Sequence, residues 1–271
     1  LNTIWATGKN SDGELGLGSA SIIQGFTQLP YDPGCHKLLP GNAGTACIAD
    51  KKLYVTGGNA NRRLKNDSTA KFTQLTLSTD FDDVGGVIDM QIAAEHSIVW
   101  ARDGKIYMNG LNSKGQFGNG GTAGGFRQVV TSTFNNEPIL QIGTDGNYLS
   151  YMVTQYSVYY AGLCQNGLCA NSQSNMAING NHLFFTKMKT PFSIIQKVYF
   201  SNINLVVKDS NNNFYALGDN NSQKRCSNSV SIWSFNMIFQ GTYILHTAYI
   251  GGDRIHYQST QGLMYFCGAT W

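Results

Sequence analysis

One strand-like stretch returns six times along the chain: "IWATG" at 4–8, "LYVTG" at 53–57, "IYMNG" at 106–110, "VYYAG" at 158–162, "FYALG" at 214–218 and "MYFCG" at 264–268. The closing glycines are Gly8, Gly57, Gly110, Gly162, Gly218 and Gly268, spaced 49 to 56 residues apart. Three residues before each stands an aromatic: Trp5, Tyr54, Tyr107, Tyr159, Tyr215 and Tyr265. A fixed period of this length marks a chain made of stacked supersecondary units. Other markers follow the glycine. "FTQL" occurs at 26–29 and 72–75, with "FRQV" at 126–129, "FTKM" at 185–188 and "FNMI" at 235–238. Then come an apolar run, as in "MQIAA" at 90–94 or "LQIGT" at 140–144, and a short strand before a polar turn, as in "HSIVWARDGK" at 96–105.

Each repeat therefore reads as four short strands. Helical periodicity is nowhere sustained, and the Gly and Asn clusters would break helices. A four-stranded unit cannot cover both its faces, so neighbours must stack. The predicted fold is all-β: a β-propeller of four-stranded antiparallel blades, five full repeats plus one strand of a sixth. The repeats run over 4–52, 53–105, 106–157, 158–213, 214–262 and, in part, 263–271, within a single domain over 1–271. The chain starts and stops on the same strand type, which reads as part of a six- or seven-bladed ring. The aromatic is expected in the packing between blades. The glycine is expected where φ must be positive or where a Cβ would clash.

Only 13% of the 271 residues are charged, against about 25% in an average domain. The formal net charge of +3 is too small for the basic footprint of a nucleic-acid protein, so no nucleic-acid partner is expected. No apolar run approaches the roughly 18 residues of a membrane span, and no signal peptide is visible. The six cysteines are Cys35, Cys47, Cys164, Cys169, Cys226 and Cys267. Cys164 and Cys169 lack the CxxC spacing of zinc and redox sites, so the cysteines read as small buried hydrophobes, with a local disulfide as the alternative. None of the five histidines forms HExxH or a Cys/His metal box. "GNGGTAGG" at 118–125 lacks the Lys-Ser/Thr of a phosphate loop, and no G-x-S-x-G elbow appears. "DSNNN" at 209–213 lacks calcium-ligand spacing and reads as a hairpin turn. No catalytic residue, cofactor or metal is expected.

The turns after the marker strand carry a resemblance. Gly8-Lys9-Asn10 with Gly13-Glu14-Leu15-Gly16, and Gly110-Leu111-Asn112 with Gly115-Gln116-Phe117-Gly118, are similar to the repeat of the regulator of chromosome condensation family, as is Ile92-Ala93-Ala94 with His96-Ser97. The resemblance covers essentially the whole chain. It breaks at Arg62-Arg63-Leu64-Lys65, at Leu168-Cys169-Ala170 and at Gln223-Lys224-Arg225. It implies a propeller that works largely through protein contacts: in nucleotide exchange on a small GTPase, in ubiquitin-ligase accessory domains and in propeller-type β-lactamase inhibitors.

Two classes of function follow. The first is a non-enzymatic scaffold presenting propeller loops to a protein partner within a larger complex. The second is the recognition domain of a secreted, viral or phage structural protein, binding a receptor or a glycan. Exchange activity is the weaker expectation, because no specific catalytic loop is matched. The candidate partner-binding residues lie in turns. Repeat 4 has a long insertion, "NSQSNMAINGNHLF" at 171–184, with Met176, Ile178, His182 and Leu183 among small polar residues. Arg62, Arg63, Lys224 and Arg225 occupy equivalent turns of repeats 2 and 5 and read as solvated charges or, less readily, a phosphate-binding patch.

Overall fold

A computed structural model describes residues 3–67, 69–129, 137–165, 167–169, 180–202, 204–218, 236–239, 245–251 and 254–268. The chain divides into two compact units. One comprises Leu1–Ser113, Asn119–Thr131 and Gly146–Tyr148. The other comprises Lys114–Gly118, Ser132–Asp145 and Leu149–Trp271.

The first unit holds three antiparallel sheets. β1 (Trp5–Gly8) pairs with β2 (Ile23–Gln28). β3 (Lys37–Gly41), β4 (Gly44–Ala49), β5 (Lys52–Gly57) and β6 (Phe72–Ser78) form a four-stranded meander. β7 (Val87–Ile92), β8 (His96–Ala101), β9 (Ile106–Gly110) and β10 (Gly125–Val129) form another. The second unit holds β11 (Ile139–Thr144), β12 (Leu149–Thr154), β13 (Val158–Leu163) and β14 (Asn181–Lys187), then β15 (Ile195–Phe200), β16 (Asn204–Asp209), β17 (Phe214–Gly218) and β18 (Asn236–Phe239). Its last sheet is β19 (Leu245–Gly251), β20 (Arg254–Ser259) and β21 (Met264–Gly268). The helical elements among the described residues are two single 3₁₀ turns, Ala60–Arg62 and Asp82–Val84.

Each strand pairs with its sequence neighbour. The sheets are phased differently from the sequence repeat. In the four-stranded sheets the marker strand is the third strand, and the strand that carries "F-x-Q" or its equivalent is the fourth. The apolar run and the "HS" strand open the next sheet. One repeat therefore spans two sheets and ties them together. Tyr54, Tyr107, Tyr159, Tyr215 and Tyr265 sit at equivalent positions on third strands, and Trp5 holds that position on β1 of the two-stranded sheet.

Within each unit the core lies between successive sheets. Leu39, Ile48, Val55, Val87, Met90, Val99 and Tyr107 fill the space between the second and third sheets. Tyr151, Val153, Tyr160, Val198, Leu205, Val207 and Tyr215 do so between the fourth and fifth. Burying a side chain of this size stabilises by about 1.5–3 kcal/mol, so stacking is the main term holding a sheet in place. Tyr107 meets Phe81 edge-on at 5.7 Å, and its hydroxyl donates to Asp103 Oδ2 at 2.8 Å. Ring and hydroxyl therefore fix the strand to the connector from the preceding sheet and to its own hairpin.

The marker glycine meets both expected constraints. Gly57 has φ +108°, and a Cβ there would lie 2.5 Å from Gly44 Cα. The register between β5 and β6 slips at this point, and the same slip occurs at Gly8 and Gly162. The glycine thus makes the bulge that releases the chain from the sheet.

The cysteines differ from the small-hydrophobe expectation. Cys35 pairs with Cys47, Cys164 pairs with Cys169, Cys267 is disulfide-bonded, and no described cysteine is free. Cys35 and Cys47 are twelve residues apart in sequence, but their Cα atoms lie 5.6 Å apart because the chain entering β3 runs back beside β4. That proximity arises from the fold and not from sequence spacing. The "DSNNN" segment is the β16–β17 hairpin turn, with Asp209 accepting the Asn211 and Asn213 amides at 2.9 and 2.8 Å.

Candidate functional site

In the first unit the turns that leave β1 and β5 dock on the following sheet. The turn after β1 is built on Asn10, which is fully buried. Its Oδ1 accepts the Leu15 amide at 2.9 Å, and its Nδ2 donates to the Ser19 carbonyl at 2.8 Å. The Thr56 hydroxyl of β5 is shared between the carbonyls of Gly13 and Phe72, at 2.7 and 2.8 Å. A Cβ at Gly13, where φ is +79°, would lie 2.8 Å from Thr73 Cα. Glycine here permits backbone-to-backbone contact.

The turn after β5 repeats this plan with different residues. Asn59 is buried, and its Oδ1 accepts the Leu64 and Lys65 amides at 2.8 and 3.1 Å. The Ser97 hydroxyl of β8 donates to the Arg63 carbonyl at 2.6 Å and accepts from Asn109 Nδ2 at 3.2 Å. The Arg63 guanidinium donates to the carbonyls of Gly58 (2.8 Å), Ala94 (2.7 Å), Ala43 (3.1 Å) and Ala93. Burial pulls its pKa down, and the Asp12 carboxylate partly restores it. His96 is also fully buried. Desolvation, reinforced by the Arg63 charge, pulls its pKa down to about 3 and keeps it neutral.

The solvated-charge reading therefore fails for Arg63, which is buried with its fork spent on four backbone carbonyls; Arg62 beside it is exposed. Arg127 grips the Asp83 carboxylate with both terminal nitrogens at 3.0 Å while lying over the Phe81 and Tyr107 rings. His182 and Leu183 open β14. The His182 ring meets Tyr160 edge-on at 4.8 Å, and burial lowers its pKa. Leu183 covers Gly115, whose Cβ would lie 2.6 Å from Leu183 Cδ2. Both side chains are thus engaged in packing within the second unit. Met176, Ile178, Lys224 and Arg225 lie outside the described residues.

The sequence reading missed the first sheet's outer face. Trp5 is 54% exposed, whereas its counterparts Tyr107, Tyr159 and Tyr215 are 4%, 7% and 6% exposed. Trp5 pairs with Gln28, so strand alternation puts Phe26 on the same face, and Phe26 is 75% exposed. Beside it Ile4, Trp5, Leu15, Leu29, Leu38 and Leu75 line a groove of about 170 Å³ within the first unit. Comparing Trp5 with its five equivalents is the signal that finds this face, and it needs burial values. Among the described residues no cluster of three or more His, Cys, Asp or Glu is placed to hold a metal, and no helix is long and apolar enough to cross a membrane.

No protein-family model matches the sequence. The structure is similar to that of human WBSCR16, with a TM-score of 0.82 and 15% identity over 98% of this chain and 75% of that one. It is equally similar to Prp20p from Saccharomyces cerevisiae, a protein described with its binding properties to Gsp1p and histones (TM-score 0.82, 14% identity, 98% of this chain and 66% of that one). It also matches yeast RCC1 (Prp20) in its complex with Kap60, with a TM-score of 0.77 over 98% of this chain and 64% of that one. The chain thus spans about two thirds of the yeast protein's length. With its consecutive antiparallel meanders, this chain has the fold of the RCC1-like β-propellers.

Proposed function

We propose that the chain is a non-enzymatic interaction scaffold that holds a protein partner within a larger assembly. The observation that carries this reading is the exposed Trp5 and Phe26 face beside an apolar groove. Contiguous exposed apolar surface marks interaction sites, and tryptophan is enriched among the residues that dominate binding energy. The yeast protein of the same fold is described with bound Kap60 and with binding to Gsp1p and histones, which is in keeping with propeller surfaces serving proteins. In a Trp5→Ser, Phe26→Ser double variant, affinity for the native partner falls by about a hundredfold, the worth of two aromatic anchors at about 1.4 kcal/mol each, while the circular dichroism spectrum is unchanged. Undiminished recovery of the partner by that variant would sink the reading.

A second reading is favoured by a different observation. Disulfides persist in oxidising compartments, and here no described cysteine is free. That pattern suits the recognition domain of a secreted, viral or phage structural protein that binds a receptor or glycan. Thiol labelling of the protein taken from its natural source separates the two: oxidised cysteines support the second reading, and six labelled cysteines count against it.

A further inference from the structure

The second unit carries a cleft of about 660 Å³, lined by Tyr156, Lys187, Met188, Lys189, Thr190, Phe192 and Ser193. The β12–β13 hairpin and the connector from β14 to β15 form its walls. Both are pinned by backbone hydrogen bonds: the Met188 amide donates to the Val158 carbonyl and the Ile195 amide to the Gln155 carbonyl, each at 2.8 Å. The Phe192 ring packs on Tyr215 at 5.2 Å. Met188 and Phe192 are buried and form an apolar floor, whereas Tyr156, Lys187, Lys189 and Ser193 are exposed at the rim. Both charged side chains that line the cleft are lysines. Between Asp145 and Asp209 the sequence has no acidic residue and four lysines, Lys187, Lys189, Lys197 and Lys208. The nearest acids are already engaged: the Glu137 carboxylate, just before β11, accepts the Thr154 hydroxyl, and the Asp209 carboxylate accepts the Tyr215 hydroxyl at 3.4 Å.

We infer that this cleft binds a short acidic segment of a protein partner, its carboxylates at Lys187 and Lys189 and an apolar side chain on the Met188 and Phe192 floor. The inference rests on the scaffold reading and gives it a second contact of defined chemistry. The volume lies within the range of organic-ligand sites and far exceeds what a single inorganic anion fills. Two ammonium groups beside the Tyr156 and Ser193 hydroxyls suit carboxylates, and the apolar floor suits a peptide rather than a bare polyanion. Potentials of opposite sign steer such a segment and fix its register.

The test is fluorescence anisotropy on the full chain with a labelled eight-residue peptide of about that length, alternating glutamate and leucine. An amide twin with glutamine for glutamate and a single-stranded oligonucleotide serve as competitors. The expected result is saturable binding that weakens with salt and that neither competitor displaces. Affinity should fall about tenfold in Lys187→Glu, Lys189→Glu, the worth of two partly solvated ion pairs. A Lys187→Gln, Lys189→Gln pair, which keeps both side chains polar, gives the same reading should charge reversal unfold the sheet. Equal binding by either variant, displacement by the glutamine twin, or displacement by the oligonucleotide would overturn the inference. Loss of this peptide site with partner capture through Trp5 and Phe26 intact would refute the cleft alone. Undiminished partner affinity in Trp5→Ser, Phe26→Ser with peptide binding intact would refute the scaffold face alone.

Discussion

The two units solve the same packing problem with different chemistry. In the first, the turns onto the second and third sheets are held by hydrogen bonds from Thr56, Ser97 and the Arg63 fork, each turn organised by a buried asparagine. On β13 and β17 of the second unit the residue before the marker glycine is Ala161 or Leu217, whose side chain has no polar group to offer. There the 114–118 turn rests on Ala161, Leu183 and the Phe185 ring at Gly115 and Gly118. The next turn is closed by the Cys164–Cys169 disulfide, with Leu168 and Cys169 buried and the Tyr151 hydroxyl donating to the Leu168 carbonyl at 3.4 Å. The repeat motif therefore erodes without loss of the fold. What each turn must supply is an anchor for its carbonyls and a close approach, and a hydroxyl, a guanidinium, apolar cover or a covalent loop closure can each supply it.

The largest effect that would break this comparison is at Arg63. In Arg63→Met the side chain still fills space, but four carbonyls lose their donor. Unsatisfied buried polar groups cost about 1–3 kcal/mol each, and some will find water. The stability of the first unit should fall by about 3–5 kcal/mol, read as a lowered urea midpoint. A change within about 0.5 kcal/mol, the range of an ordinary surface substitution, would return Arg63 to the solvated class. Next in size is the short disulfide. Cys164→Ser, Cys169→Ser opens a loop of sequence separation 5, for which the loop-entropy relation gives about 2 kcal/mol. That loss should appear in the unfolding of the second unit.

A smaller and graded effect comes from pH. His96 is neutral in the fold, with its pKa pulled down to about 3 from 6.5. Below about pH 6.5 the unfolded chain takes up a proton that the folded chain refuses, so stability falls as pH drops from 6.5 towards 3. His96→Gln should flatten the slope of urea midpoint against pH over that interval, whatever it does to the midpoint at pH 7. An unaltered slope would show that His96 does not carry it.

The period, the marker aromatics and the glycine bulges were legible in the sequence because they recur wherever sheet stacks on sheet. The turns were legible only where they kept Gly-x-Asn and Gly-x-x-Gly, as at Asn10 and Asn112. Arg63 could not be told from Arg62 beside it, because 3₁₀ geometry at Ala60–Arg62, with Arg62 at φ +59°, aims one inward and leaves the other outside. The disulfides were hidden for a related reason, since strand pairing and not spacing brings Cys35 to Cys47. The exposed Trp5 face and the lysine cleft were equally out of reach. Tryptophan fits the marker position as well as tyrosine does, and Lys187 and Lys189 come to rim a cleft with an apolar floor only when the β12–β13 hairpin meets the β14–β15 connector.

Residue-resolved hydrogen exchange tests most directly whether the turns are anchored by different chemistry. The probes are the Leu64 and Lys65 amides, held by Asn59, and the Leu168 amide, which donates to the Gln165 carbonyl at 3.1 Å. The expected result is a double dissociation: Arg63→Met speeds exchange at Leu64 and Lys65 and leaves Leu168 protected, while Cys164→Ser, Cys169→Ser does the reverse. Full protection at Leu168 without the disulfide, or at Leu64 without the guanidinium, would contradict it.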